Sequence, residues 1–148
     1  MNTSPKSFLI VGLLCAGILT STAADKKLLA GPKGGRLLDK TEPHAEFIVE
    51  KDHSITINFY TAELKPVAAT TQSVTVIADA KSGKATLEFE KRGDALVSKT
   101  KLPEGDGYNL VVRFRQTADA KPTNLRFKLL THTCGECKRA EYACICGH

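Results

Sequence analysis

A chain of 148 residues, 42% hydrophobic and 25% charged, is the size of one domain large enough to bury a core, and no second domain is needed. Its formal charge of +5 comes from lysines and arginines interleaved with aspartates and glutamates. With no basic block and no aromatic stacking motif beside one, the composition argues against nucleic-acid binding.

The chain begins with Lys6 ahead of an apolar run from Phe8 to Leu19, then Thr20-Ser21-Thr22-Ala23-Ala24 and the charged Asp25-Lys26-Lys27. Residues 1–24 therefore read as a cleaved secretory signal. The run is about twelve residues, short of the roughly twenty that a membrane-spanning helix needs. Cleavage after Ala24 removes one lysine and one cysteine, leaving 124 residues, four cysteines and a formal charge of +4. Lipid attachment at Cys15 is the competing reading, disfavoured because Leu14, not a small residue, precedes it. The expected product is a soluble periplasmic or secreted protein with no membrane span.

Residues 25–131 carry the alternation of a β domain. Ala45, Phe47 and Val49 alternate with His44, Glu46, Ile48 and Glu50, and Ile55, Ile57 and Phe59 with Ser54, Thr56 and Asn58. The pattern returns at Val74–Ala78, around Leu87 and Phe89, at Leu110–Phe114 and at Leu125–Leu129, with Gly35–Leu38 and Ala95–Ser98 as two further short strands. Turn sequences such as Lys81-Ser82-Gly83-Lys84 and Lys91-Arg92-Gly93-Asp94 separate them. Seven or eight short antiparallel strands with no long amphipathic helix predict a two-sheet, immunoglobulin-like sandwich, without the disulfide and packed tryptophan of antibody domains. By strict alternation His44 and Glu46 share an outward face, and His53 falls in a turn.

Residues 132–148 form a cysteine-rich tail after the last strand. Cys134 and Cys137 make a C-x-x-C pair, Cys144 and Cys146 a C-x-C pair, and the six residues between allow the pairs to fold together. A short C-x-x-C turn directs two thiolates at one cation, and an extended C-x-C puts both sulfurs on one face. Such a donor set suits zinc or cuprous copper, with His148 as a substitute or additional ligand. His132 is close enough in sequence to assist.

Other chemistries fit less well. Four cysteines in an oxidising compartment can form two disulfides, crosswise because Cys144-Ile145-Cys146 is too short to bridge unstrained. Any such bridge closes at most about a dozen residues, worth roughly 3 kcal/mol, so the tail is expected to be an appendix that leaves the body untouched. Thiol-disulfide exchange lacks the strand-to-helix setting that activates a C-x-x-C thiol. Haem attachment fails because Lys138, not histidine, follows Cys137, and a blue-copper site from His44, Cys144 and His148 lacks an axial methionine. An iron-sulfur cluster would call for a twin-arginine leader, which is missing. Neither a Gly-x-Ser-x-Gly elbow nor a phosphate loop around Lys33 is present, and the expectation is a protein that is not an enzyme.

The segments Gly31-Pro32-Lys33-Gly34-Gly35-Arg36-Leu37, Glu42-Pro43-His44-Ala45-Glu46-Phe47, Ile55-Thr56-Ile57-Asn58-Phe59 and Lys65-Pro66-Val67 resemble a group of small exported bacterial β domains. These have a Gly-Pro-x-Gly-Gly start and a His-Ala-Glu strand, and relatives of them accompany metal-efflux components. The resemblance covers about the first third of the mature chain and transfers no active site. It implies an envelope β domain with a metal connection, His44 and Glu46 being the matching polar residues. The functional expectation is an exported, non-enzymatic metal-binding protein, with a metal-efflux component as a possible envelope partner. An envelope interaction module whose tail is held by disulfides or a structural zinc is the alternative.

Overall fold

The computed structural model describes Met1 and residues 28–147; the leader, Cys15 and His148 lie outside the described residues. Nine strands form: β1 (Arg36–Leu38), β2 (His44–Val49), β3 (Ile55–Tyr60), β4 (Pro66–Val67), β5 (Ser73–Ala80), β6 (Gly83–Arg92), β7 (Ala95–Ser98), β8 (Asn109–Arg115) and β9 (Thr123–Lys128). One 3-10 turn, Glu141–Ala143, follows them, and there is no α-helix among the described residues. No helix there is long and apolar enough to cross a membrane.

All pairings are antiparallel and run in the order β1-β2-β3-β7-β6-β5-β8-β9, with β4 added to β3. Lettering β2, β3, β5, β6, β7, β8 and β9 as A to G gives A-B-E-D in one layer and C-F-G in the other, the immunoglobulin arrangement. The long strand β6 serves both layers. Its first part, Gly83–Glu88, pairs with β5, and Phe89–Arg92 pairs with β7.

Period-two alternation builds the core as expected. Val74, Val76 and Ala78 of β5 and Leu110, Val112 and Phe114 of β8 point inward against Ile55, Ile57 and Phe59 of β3. The Phe59 and Phe114 rings meet across the layers at 6.2 Å, and Phe47 of β2 meets Phe127 of β9 edge to face at 5.2 Å. Burying these apolar side chains is the main favourable term, at roughly 25 cal/mol per Å² removed from water.

A tyrosine corner replaces the missing disulfide and tryptophan as the fold's local marker. Tyr108, directly before β8, donates its hydroxyl to the Pro103 carbonyl at 2.9 Å, pinning the turn that enters the strand. Leu110, two residues on, is fully buried where antibody domains carry their second cysteine.

Glu46 departs from the alternation rule. Expected to face outward, it is fully buried. The loop Gly31–Gly35 folds over that side of β2, and the N–H groups of Lys33 and Gly35 donate to Glu46 Oε1 at 2.8 and 2.9 Å. Tyr60 donates its hydroxyl to Oε2 at 2.7 Å. Burial, and then the bond and charge of Glu46, raise the Tyr60 phenol above its usual range, so it stays a donor. The glycines are there for close approach. A Cβ on Gly31 would lie 2.3 Å from Glu46 Oε1, and one on Gly35 would lie 2.4 Å from the Phe47 carbonyl oxygen. The Gly-Pro-x-Gly-Gly and His-Ala-Glu segments are thus two halves of one carboxylate cradle.

Glu46→Ala would leave two backbone donors and one phenol unsatisfied, each costing about 1–3 kcal/mol. Urea unfolding of this variant is expected to show a loss of about 3 kcal/mol or more, with Tyr108→Phe losing about 1 kcal/mol beside it.

Candidate metal centre

The tail is a small hairpin. Tyr142 N–H donates to the Leu130 carbonyl at 2.9 Å, Glu141 N–H to His132 at 2.9 Å and Cys134 N–H to Arg139 at 2.8 Å, with Thr133 bridged to Ala140. Its tip is the C-x-x-C turn, closed by Lys138 N–H donating to the Cys134 carbonyl at 3.1 Å. Lys138 turns the chain through a positive φ of 60°. The 3-10 turn then reverses direction, and Cys144 leaves it in extended backbone (φ −64°, ψ 142°), aiming Cys144 and Cys146 back at the first pair.

All four sulfurs converge. Cys144 Sγ lies 3.4 Å from Cys134 Sγ and 3.7 Å from Cys137 Sγ, Cys134 and Cys146 are 3.9 Å apart, and every pair falls within 4.8 Å. A tetrahedral ion with metal–sulfur bonds of about 2.3 Å requires sulfur–sulfur edges of about 3.8 Å. A disulfide requires about 2.05 Å. The observed spacing is that of ligands around a common centre, and none of the four cysteines is in a disulfide.

Electrostatics favour ionisation at one corner. The backbone N–H groups of Arg139 and Ile145 point at Cys137 Sγ and lower that thiol to about 6. Cys144 receives the Cys146 N–H at 3.4 Å, which lowers it, but burial and the neighbouring thiols of Cys134 and Cys137 raise it on balance. Burial first, then the surrounding thiols, push Cys146 well up.

The tail is not an appendix, contrary to the expectation from loop lengths. Tyr142 and Ala143 are buried in the main core. The Tyr142 ring packs edge-on against Phe47 at 6.0 Å, and its hydroxyl accepts the Val49 N–H at 2.9 Å, capping the outer edge of β2. Arg36 Nη1 donates to the Tyr142 carbonyl at 3.0 Å while its guanidinium lies 4.7 Å over the Phe127 ring. Arg139, two residues after Cys137, donates to the Gly31 carbonyl at 3.2 Å and so ties the hairpin to the loop around Glu46. Ala143, Cys144 and Ile145 also line a groove between β1 and β9 together with Leu28 and Leu29.

The other sequence candidates stand apart from the cluster. His44 Nδ1 is bonded to the Thr41 carbonyl at 2.9 Å, Glu46 is engaged in its cradle, and His53 sits in a turn with φ 68°. His132 is exposed, its carbonyl serving the hairpin. What sequence reading missed is Tyr142 and Arg139, whose signal was an aromatic and a cation spaced between the two cysteine pairs. Compared with protein-family models, curated proteins and solved structures, the chain matches none, so its reading rests on this geometry.

Tyr142→Phe keeps the ring and removes only the acceptor of the Val49 N–H. It is expected to cost about 1 kcal/mol and to make Val49 exchange its amide hydrogen several-fold faster, leaving the cysteine spacing intact. Residue-resolved hydrogen exchange checks this.

Proposed function

We propose that this is an exported, non-enzymatic metal-binding protein whose C-terminal hairpin holds one zinc or cuprous ion through Cys134, Cys137, Cys144 and Cys146. The observation that carries the reading is the convergence of four sulfurs at tetrahedral spacing. That spacing favours zinc, since tetrahedral all-sulfur sites suit it, with cuprous copper as the competing occupant. Four thiolates leave a zinc site with two net negative charges. The N–H groups directed at Cys137 and Cys144 and the adjacent Lys138 and Arg139 help offset these. His148, the other proposed donor, is a fifth ligand for which a filled tetrahedron has no need.

The leader-like N-terminus supports export to the periplasm, and the resemblance to envelope domains that accompany metal efflux supports a metal-related role with an envelope protein as partner. A site with four protein ligands has no open position for catalysis. A second reading, an envelope interaction module with a structural ion, draws support from the docking of Tyr142 into the core. In that reading metal release loosens the tail; in the first, metal exchanges at useful affinity with the body still folded.

The mature chain from Asp25 to His148, isolated without reductant and weighed under native conditions, is expected to carry one metal ion that is lost on acidification. Cys144→Ser with Cys146→Ser should abolish binding without unfolding the sandwich, and deleting His148 should leave one ion bound. A mass about four units below the reduced chain, without metal, would establish two disulfides and overturn the proposal.

A further inference from the structure

The formal charge of the described chain is concentrated on one sheet face. Residues 28–147 contain eighteen lysines and arginines against fifteen aspartates and glutamates. The outward face of β6, β5, β8 and β9 is fixed by register: Lys84 stands opposite Asp79, Asp79 opposite Asn109 and Asn109 opposite Lys128, while Ile77 stands opposite Val111 and Val111 opposite Arg126. Arg113 lies in the next row, beside Thr75 and Asn124. Lys84, Arg113, Arg126 and Lys128 against Asp79 make three unmatched positive charges, the whole net charge of residues 28–147. Arg115 and Glu88, further along the face, cancel.

Two features separate this face from an ordinary solvated one. Among the described residues none of the four cations is paired with a carboxylate, although Glu88 and Glu90 elsewhere on β6 have partners. The face also has an apolar centre: Ile77 and Val111 lie side by side, half-buried, in a depression of about 460 Å³ bordered by Lys84, Arg113 and Arg126 and, at one end, by Asp79 and Asn109. A shallow apolar pair with three unpaired cations against one carboxylate on its rim fits an extended segment presenting one or two aliphatic side chains between carboxylates. The face carries no aromatic residue, as an interfacial membrane anchor or a base-stacking platform would.

We propose that the β6-β5-β8-β9 face is a docking surface for an acidic segment of a partner protein, seated over Ile77 and Val111. The surface shares no residue with the cysteine cluster, and the proposal stands whichever metal that cluster holds.

The probe is a short synthetic peptide alternating glutamate and valine, titrated at low salt into the isotope-labelled mature protein. Amide shifts are expected at Ile77, Val111, Arg113 and Arg126, fading as salt is raised. Arg113→Glu with Arg126→Glu should weaken binding at least about tenfold, with fold and metal stoichiometry unchanged. A lysine-valine peptide should produce no shifts. Absence of shifts with the acidic peptide, or equal shifts at Lys33, Lys40 and Lys65, would overturn the proposal. So would tighter binding to phosphatidylglycerol vesicles than to the peptide, which would reassign the face to lipid.

Discussion

A single buried carboxylate holds the N-terminal side of this molecule together. Glu46 is fully buried inside the sandwich, and it is held there by three donors from two separate segments. Satisfying it fixes the glycine loop, and the loop in turn positions β1 along β2. Because the loop also offers the Gly31 carbonyl to Arg139, the hairpin that carries the cysteines is built onto the same support. The order of dependence runs from Glu46 to loop, and from loop to tail.

This arrangement changes what a metal ion held at the tail would do energetically. A crosslink among four residues within a thirteen-residue stretch gains little from loop closure alone. Here the crosslinked stretch includes Tyr142, whose burial against Phe47 and hydrogen bond to Val49 join the tail to the outer edge of β2. β1 covers β2 only from Ala45 to Phe47, and past it the Val49 N–H, which would otherwise be open to pairing with another chain, is taken by the Tyr142 phenol. The cysteine hairpin and that part of β2 are therefore joined through Tyr142.

How much of this was readable from sequence varied by element. The strands of the C-F-G layer were plain, since Val74-Val76-Ala78 and Leu110-Val112-Phe114 alternate cleanly on a half-buried sheet. The two-residue β4 left no trace, as Pro66 and Val67 are too few to show a period. Glu46 was misplaced because alternation gives only which side of a strand a residue faces, and here a loop covers the side that is normally solvated. The sulfur convergence followed from C-x-x-C and C-x-C spacing, which are local constraints. The docking of Tyr142 did not, because it depends on where β2 and β9 come to lie in three dimensions. The tyrosine corner had a local signature that was overlooked, a tyrosine ending the glycine-rich turn Glu104–Gly107.

The groove between β1 and β9 gives the molecule a polarity. Among the described residues the sheet path is continuous through β6 and its two ends meet at this seam, where Leu28 and Leu29 line one part of the wall and Ala143, Cys144 and Ile145 another. The two ends of the described chain therefore share one side of the sandwich. A tether attached at the N-terminal end of the described chain would therefore also hold the cysteine cluster close to it, on a different surface from the cationic sheet face.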